Sequence, residues 1–210
     1  MNKLGDLSCK KFLTELASAA PAPGGGGGAA MAGALAAALA SMVANLTIGK
    51  EKFADREPEV KELLEQAEAE RVRLLTLVDE DAAVFNSFMS CYKLPKTTDE
   101  EKAARTAAIR AAAKQAATVP LNIARSSFAV LKLADRLVVS GNPGVITDGA
   151  CSGLLARAAL RCAEYNVRIN LGLTKDEAWN AQAAAELEQL LADAEALETR
   201  LLAVTDKALQ

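Results

Sequence analysis

Residues 21–50 read PAPGGGGGAAMAGALAAALASMVANLTIGK, and no charged side chain occurs in this stretch before Lys50. Pro21 and Pro23 stop whatever precedes them, and five glycines, Gly24 to Gly28, lead into the most apolar segment of the chain. From Ala29 to Ile48 there are twenty uncharged residues, long enough to span a bilayer. Half of them are Ala or Gly, however, with Ser41, Asn45 and Thr47 among the rest. Alanine gains little from lipid, so the segment reads as a helix buried all round in a helical core, and no membrane association is expected.

The punctuation on either side repeats the helical signal. Ser8 caps a first helix expected to reach about Ala20. Gly49 closes the apolar helix. Pro58 suits the first turn of a long helix running to about Tyr92, ended by Leu94-Pro95. Thr98 and Glu101 form a capping box for the next helix. Pro120 either kinks that helix or starts a new one that continues to about Val139. Ser140-Gly141-Asn142-Pro143-Gly144 is a turn. Asp148 lies at the start of a helix ending near Leu171, and Thr174 with Glu177 predicts a second capping box before the last helix. No alternating strand pattern extends beyond a few residues. The expectation is a single all-α domain over residues 1–210, a bundle of about seven helices. Ala-rich helices of this length bury little area alone, so an antiparallel homodimer is expected.

Composition narrows the chemistry. Hydrophobic residues make up 51% of the chain and aromatics only 4%. The net charge of -3 offers no basic face for nucleic acid. The chain contains no histidine, so proton transfer falls to Asp, Glu, Lys, Tyr or Cys. Its four cysteines, Cys9, Cys91, Cys151 and Cys162, form no C-x-x-C pair and read as buried thiols in a reducing compartment. No metal site is expected from them. Lys10, Lys11 and Glu15 interrupt the first apolar stretch, so no signal peptide is read there and the expected location is cytoplasmic.

Three places could carry chemistry. The glycine run is either a connector or a loop whose free N–H groups and helix dipole meet an anion; the lysine of a Walker loop is missing. In Asp79-Glu80-Asp81, helical phase puts Asp81 on the stripe Leu74, Val78, Phe85, Phe88, while Asp79 and Glu80 point elsewhere. A carboxylate there is either half of a buried ion pair or an acid–base with a raised pKa. The third place combines Asn142, Asp148, Asn166 and Asn170. Asp148 reads first as a helix cap. Asn166 and Asn170, four apart on one face, suit an interhelical hydrogen bond or a flat heterocycle.

Taken together, these motifs are similar to a known family. Pro21-Ala22-Pro23-Gly24-Gly25-Gly26 with Leu46-Thr47-Ile48-Gly49-Lys50, Leu77-Val78-Asp79-Glu80-Asp81-Ala82, Leu94-Pro95-Lys96, Val119-Pro120-Leu121, Gly141-Asn142, Asp148 and Asn166 to Leu171 resemble, in order, the C-terminal domain of formiminotransferase-cyclodeaminase. The resemblance covers nearly the whole chain. It implies an all-α dimer that converts 5-formiminotetrahydrofolate to 5,10-methenyltetrahydrofolate and ammonia, with relatives that act as methenyltetrahydrofolate cyclohydrolases.

The resemblance also assigns roles. It places the catalytic aspartate on Asp81. On this reading Gly24, Gly25, Gly26 and Gly27 hold part of the folate, Lys50 meets its anionic glutamate tail, either Asp148 or the pair Asn166 and Asn170 binds the pterin edge, and Asn142 is a further substrate contact. The tetrahydrofolate substrate is the only small molecule required; no metal or redox cofactor is implied. A separate formiminotransferase is a candidate partner. Gly27 and Thr147 stand where the family often has Ser, and Gly149-Ala150 also differs, which touches substrate preference more than chemistry. The alternatives are cyclohydrolase activity and a non-catalytic, folate-binding helical dimer.

Overall fold

The structure, a computed structural model, describes residues 3–210. Six α-helices account for nearly all of it: α1 (Cys9–Leu16), α2 (Gly24–Asn45), α3 (Glu57–Cys91), α4 (Asp99–Ser140), α5 (Ile146–Leu171) and α6 (Glu177–Ala208). Three short 3-10 turns, Leu4–Asp6, Glu51–Phe53 and Pro143–Val145, join or precede them. There is no strand among the described residues.

Several caps lie where the sequence puts them. Thr98 Oγ1 accepts from Glu101 N–H at 3.2 Å, and Glu101 Oε2 accepts from Thr98 N–H at 3.2 Å. Ser8 Oγ accepts from Lys11 N–H at 3.3 Å, and a proline occupies the first turn of α3. Other expectations are corrected. The cysteines are not buried: Cys9, Cys151 and Cys162 are exposed and Cys91 is partly so, each on a helix face turned away from the core. α1 stops at Leu16, before the expected Ala20. The second capping box is absent: Asp176 is the N-cap of α6, its Oδ1 accepting from Trp179 N–H at 3.1 Å, and Thr174 Oγ1 accepts from Asp176 N–H instead.

The count of helices is lower than expected because Pro120 does not divide α4, which runs unbroken for 42 residues. Proline removes one donor from the ladder, and the carbonyl it orphans is that of Ala116, four residues back. Asn170 Nδ2 on α5 donates to that carbonyl at 2.9 Å. A partner from the neighbouring helix thus replaces the missing bond, and the helix continues.

Helices α2 to α6 run up and down the bundle. α2 packs along α3 and α5 and touches α4, while α6 covers the side formed by α4 and α5. α2 is long and apolar enough to cross a membrane by length and composition, but here it is a core helix, with Ala30, Ala36, Ala37, Ala40 and Ala44 fully enclosed. Small residues let the backbones approach. A methyl group on Gly33 would sit 3.0 Å from Leu74 Cδ2 and 3.1 Å from Ser127 Oγ. Larger side chains from the neighbouring helices, Leu74, Ile123, Leu131, Leu160 and Leu187, fill the rest of the core. Each is worth about 1.5–3 kcal/mol when fully buried. Past Phe88 the tips of α3 and α4 project as a hairpin in which most residues are exposed.

Candidate active site

The glycine run does not form a loop. Gly24 turns the chain with φ +58, and Gly24 to Gly28 are already the opening turns of α2. Gly27 N–H makes the first ladder bond, to Pro23 O at 3.2 Å, so the N–H groups of Gly24, Gly25 and Gly26 precede the ladder. No side chain of the same segment caps this end.

The anion that meets it belongs to the chain itself. Asp81, on α3, lies so close to Gly26 that a methyl group there would come within 2.6 Å of the carboxyl carbon. Only glycine lets the helix end approach that carboxylate. Two effects then act on Asp81. Burial disfavours its charged form, and a hydrogen bond from the Gly27 backbone favours it. Burial dominates, and the pKa rises from 3.8 to about 6. No ion-pair partner offsets the charge among the described residues, so the salt-bridge reading of Asp81 fails. A carboxyl group poised there can take or give a proton near neutral pH.

Asp81 opens onto a cavity of about 340 Å³. Its walls are the Pro21–Gly26 segment, Phe85 and Phe88 of α3, Ala116 and Pro120 of α4, and Asn166, Ile169 and Asn170 of α5. Phe85 and Phe88 lie four and seven residues beyond Asp81, on the face that its helical phase indicates. Asn166 lies against Gly25, where an added methyl would be 3.5 Å from Nδ2. Among the described residues, no lysine or arginine lines the cavity.

A family model for formiminotransferase-cyclodeaminase matches residues 8–189. The chain belongs to that family. It is 46% identical over 197 residues to a methenyltetrahydrofolate cyclohydrolase from Methylorubrum extorquens, covering 94% of this chain and 95% of that protein. It is 33% identical over 185 residues to a formimidoyltransferase-cyclodeaminase from Sus scrofa, covering 88% of this chain but only 34% of that longer protein. The solved structure of a formiminotetrahydrofolate cyclodeaminase from Thermotoga maritima superposes with a TM-score of 0.88 at 31% identity, covering 98% of both chains. The family relationship makes the chain an enzyme of folate one-carbon chemistry.

Within this family fold, the residues singled out from sequence separate into two groups. Gly24, Gly25, Gly26, Asp81, Asn166 and Asn170 meet at the cavity. Gly27 sits just behind it, its hydrogen facing the carboxylate. Lys50, Asn142 and Asp148 lie at the opposite end of the bundle. At 1.5 Å per residue, Asp148 is about 27 Å along α5 from Asn166. Lys50 is exposed beside the Glu51–Phe53 turn. Asn142 is a structural knot. Its N–H donates to Thr47 Oγ1 at 2.9 Å, its Nδ2 to Leu46 O at 3.1 Å, and its Oδ1 accepts from Gly144 N–H at 3.0 Å. Asp148 is not the N-cap of α5, which is Val145; it sits in the first turn, where the helix dipole favours a carboxylate.

Asp79 has a structural role that phase alone did not reveal. Its Oδ1 accepts from the N–H groups of Leu4 and Gly5, pinning the N-terminal turn to α3. The sequence reading also omitted Pro120 from the site, although a proline inside a helix signals a carbonyl in need of a donor.

Proposed function

We propose that the chain is a methenyltetrahydrofolate cyclohydrolase. The observation that carries this is the 46% identity to the Methylorubrum extorquens enzyme of that name over nearly the full length of both chains. It reverses the order suggested by the sequence motifs, which put cyclodeaminase first. In the proposed reaction water adds to the methenyl carbon while the Asp81 carboxylate takes one of its protons. The ring opens by breaking one of the two C–N bonds at that carbon. Asp81 returns the proton to the departing nitrogen, and the second water proton leaves as the C=O forms. Methenyl cation and water thus become the neutral formyl compound and one proton. No resident cofactor takes part.

Asp81 suits the role because a carboxyl group whose pKa lies near 6 is ionised at neutral pH yet basic enough to accept a proton. The cavity walls, with two phenylalanines and no competing cation, suit a flat cationic ring. Cyclodeaminase activity is the second reading, favoured by the likeness to the Thermotoga maritima structure. Ultraviolet absorption of the methenyl chromophore tests both. Loss of the chromophore when methenyltetrahydrofolate is the sole substrate supports the cyclohydrolase. Its appearance from 5-formiminotetrahydrofolate, without that loss, would replace it with the cyclodeaminase. A homodimer is part of the proposal, supported by apolar side chains left exposed on α2 and α5, among them Leu35 at 54% and Leu154 at 43%; a monomeric mass in solution would reject it.

A further inference from the structure

The amide of Asn170 is held in one orientation. One hydrogen of Nδ2 goes to Ala116 O at 2.9 Å, the carbonyl that Pro120 leaves without a helical donor. The other goes to Asn166 O at 2.8 Å. Reversing the amide would set its oxygen against two carbonyl oxygens, so the geometry assigns the atoms. Oδ1 is then the only polar atom Asn170 has left, on a residue that lines the cavity, and it takes no hydrogen bond from the described residues. Asn166 is tied on one side: its Nδ2 donates to Cys162 O at 2.9 Å, and its amide lies against Gly25. Two amides, each carrying an acceptor oxygen and one helical turn apart, therefore line the same cavity.

We infer that Asn170 is the specificity-determining residue of the cavity. Held by the carbonyl that Pro120 orphans, it joins Asn166 in accepting hydrogen bonds from two neighbouring N–H donors of a heterocycle. This inference rests on the folate reading and deepens it. A 2-amino-4-oxo pteridine presents such a pair, the exocyclic amine and the adjacent ring N3–H. A 2,4-diamino pteridine places a bare acceptor nitrogen at N3, opposite an oxygen that has no hydrogen to offer. The mismatch leaves two lone pairs facing each other across the cavity wall.

The test uses folic acid and its 4-amino-4-deoxy counterpart, which differ only on that edge, with binding measured by equilibrium dialysis. The parent chain is expected to hold the 4-oxo compound about 10-fold or more tighter. Asn170→Ala should bring the two affinities to within about 3-fold, because the acceptor that meets N3 is gone while Asn166 still meets the 2-amino group that both compounds carry. Pro120→Ala is the second variant. It restores the helical donor to Ala116, competes with the Asn170 tie and favours the helix, so a weakened preference is expected there with the fold retained. Far-ultraviolet circular dichroism on each variant verifies the fold. Equal binding of both compounds by the parent chain would overturn the inference while leaving the folate reading in place. So would full preference retained by Asn170→Ala. If the parent chain bound neither compound, the folate reading itself would fail.

Discussion

Asp81→Asn should make the protein more stable at neutral pH while removing its activity. The magnitude follows from the pKa. In the native state Asp81 titrates near 6, against 3.8 for a free carboxyl group. A raised native pKa means that the folded chain binds the proton more tightly than the unfolded chain does. That advantage is complete in acid and disappears as pH rises through about 6. The full displacement is worth about 3 kcal/mol at 1.36 kcal/mol per pKa unit. Of this, about 2 kcal/mol is traversed between roughly pH 4.5 and pH 8. Asparagine never carries the charge, and its Oδ1 can still accept from the Gly27 backbone. The variant should therefore exceed the parent by about 1–3 kcal/mol at pH 8, and the gap should close toward about pH 4.5. Urea denaturation of both proteins across this range isolates Asp81, because every other group titrates alike in the two chains and cancels. On the activity side, about 10²–10⁴-fold should be lost from kcat, the usual range for a removed general acid–base. A variant less stable than the parent at pH 8, or a gap that does not change with pH, would refute the placement of a buried, unpaired carboxylate at this position.

Ring opening that relies on the ionised form of Asp81 should show kcat/KM rising with pH and levelling above an apparent pKa of about 6; a flat pH–rate profile from pH 5 to pH 8 would disconnect the rate from this group. Gly26→Ala drives a methyl group into the Asp81 carboxyl, so activity should fall by about 10²-fold with the circular dichroism spectrum retained, as measured in the methenyl absorption assay. Asn142→Ala removes two side-chain hydrogen bonds at the far end of the bundle and should cost about 2 kcal/mol in urea denaturation with KM unchanged. Leu74→Ala, in the fully enclosed part of the core, should cost about 2–5 kcal/mol by the same measurement.

Helix identity was legible because its signals are local. The Thr98–Glu101 box and Pro58 act within a few residues, and the structure realises both. The phase of Asp81 was legible for the same reason, since a stripe with period 3.6 fixes a direction around the helix axis. Two features depend on a second helix and could not be read from one segment. The opening turns of α2 are glycines beside a carboxylate that α3 supplies, and α4 survives Pro120 with an amide from α5 on the freed carbonyl. Height along the bundle was not legible either. Periodicity says which way a side chain faces but not which end of another helix lies beside it. Asn142 and Asp148 were therefore grouped with Asn166 and Asn170, although the length of α5 separates them.

That length has an evolutionary consequence. The knot around Asn142 joins the end of α2 to the turn after α4, while the cavity that Asp81 and Asn170 line lies at the other pole of the molecule. Substitutions this far apart with no shared partner combine close to additively. A lineage moving to a warmer habitat can harden the Asn142 pole without retuning what the enzyme accepts, and one changing its substrate can rework the Asn170 pole without first regaining heat tolerance. Selection thus meets two largely independent dials on one polypeptide.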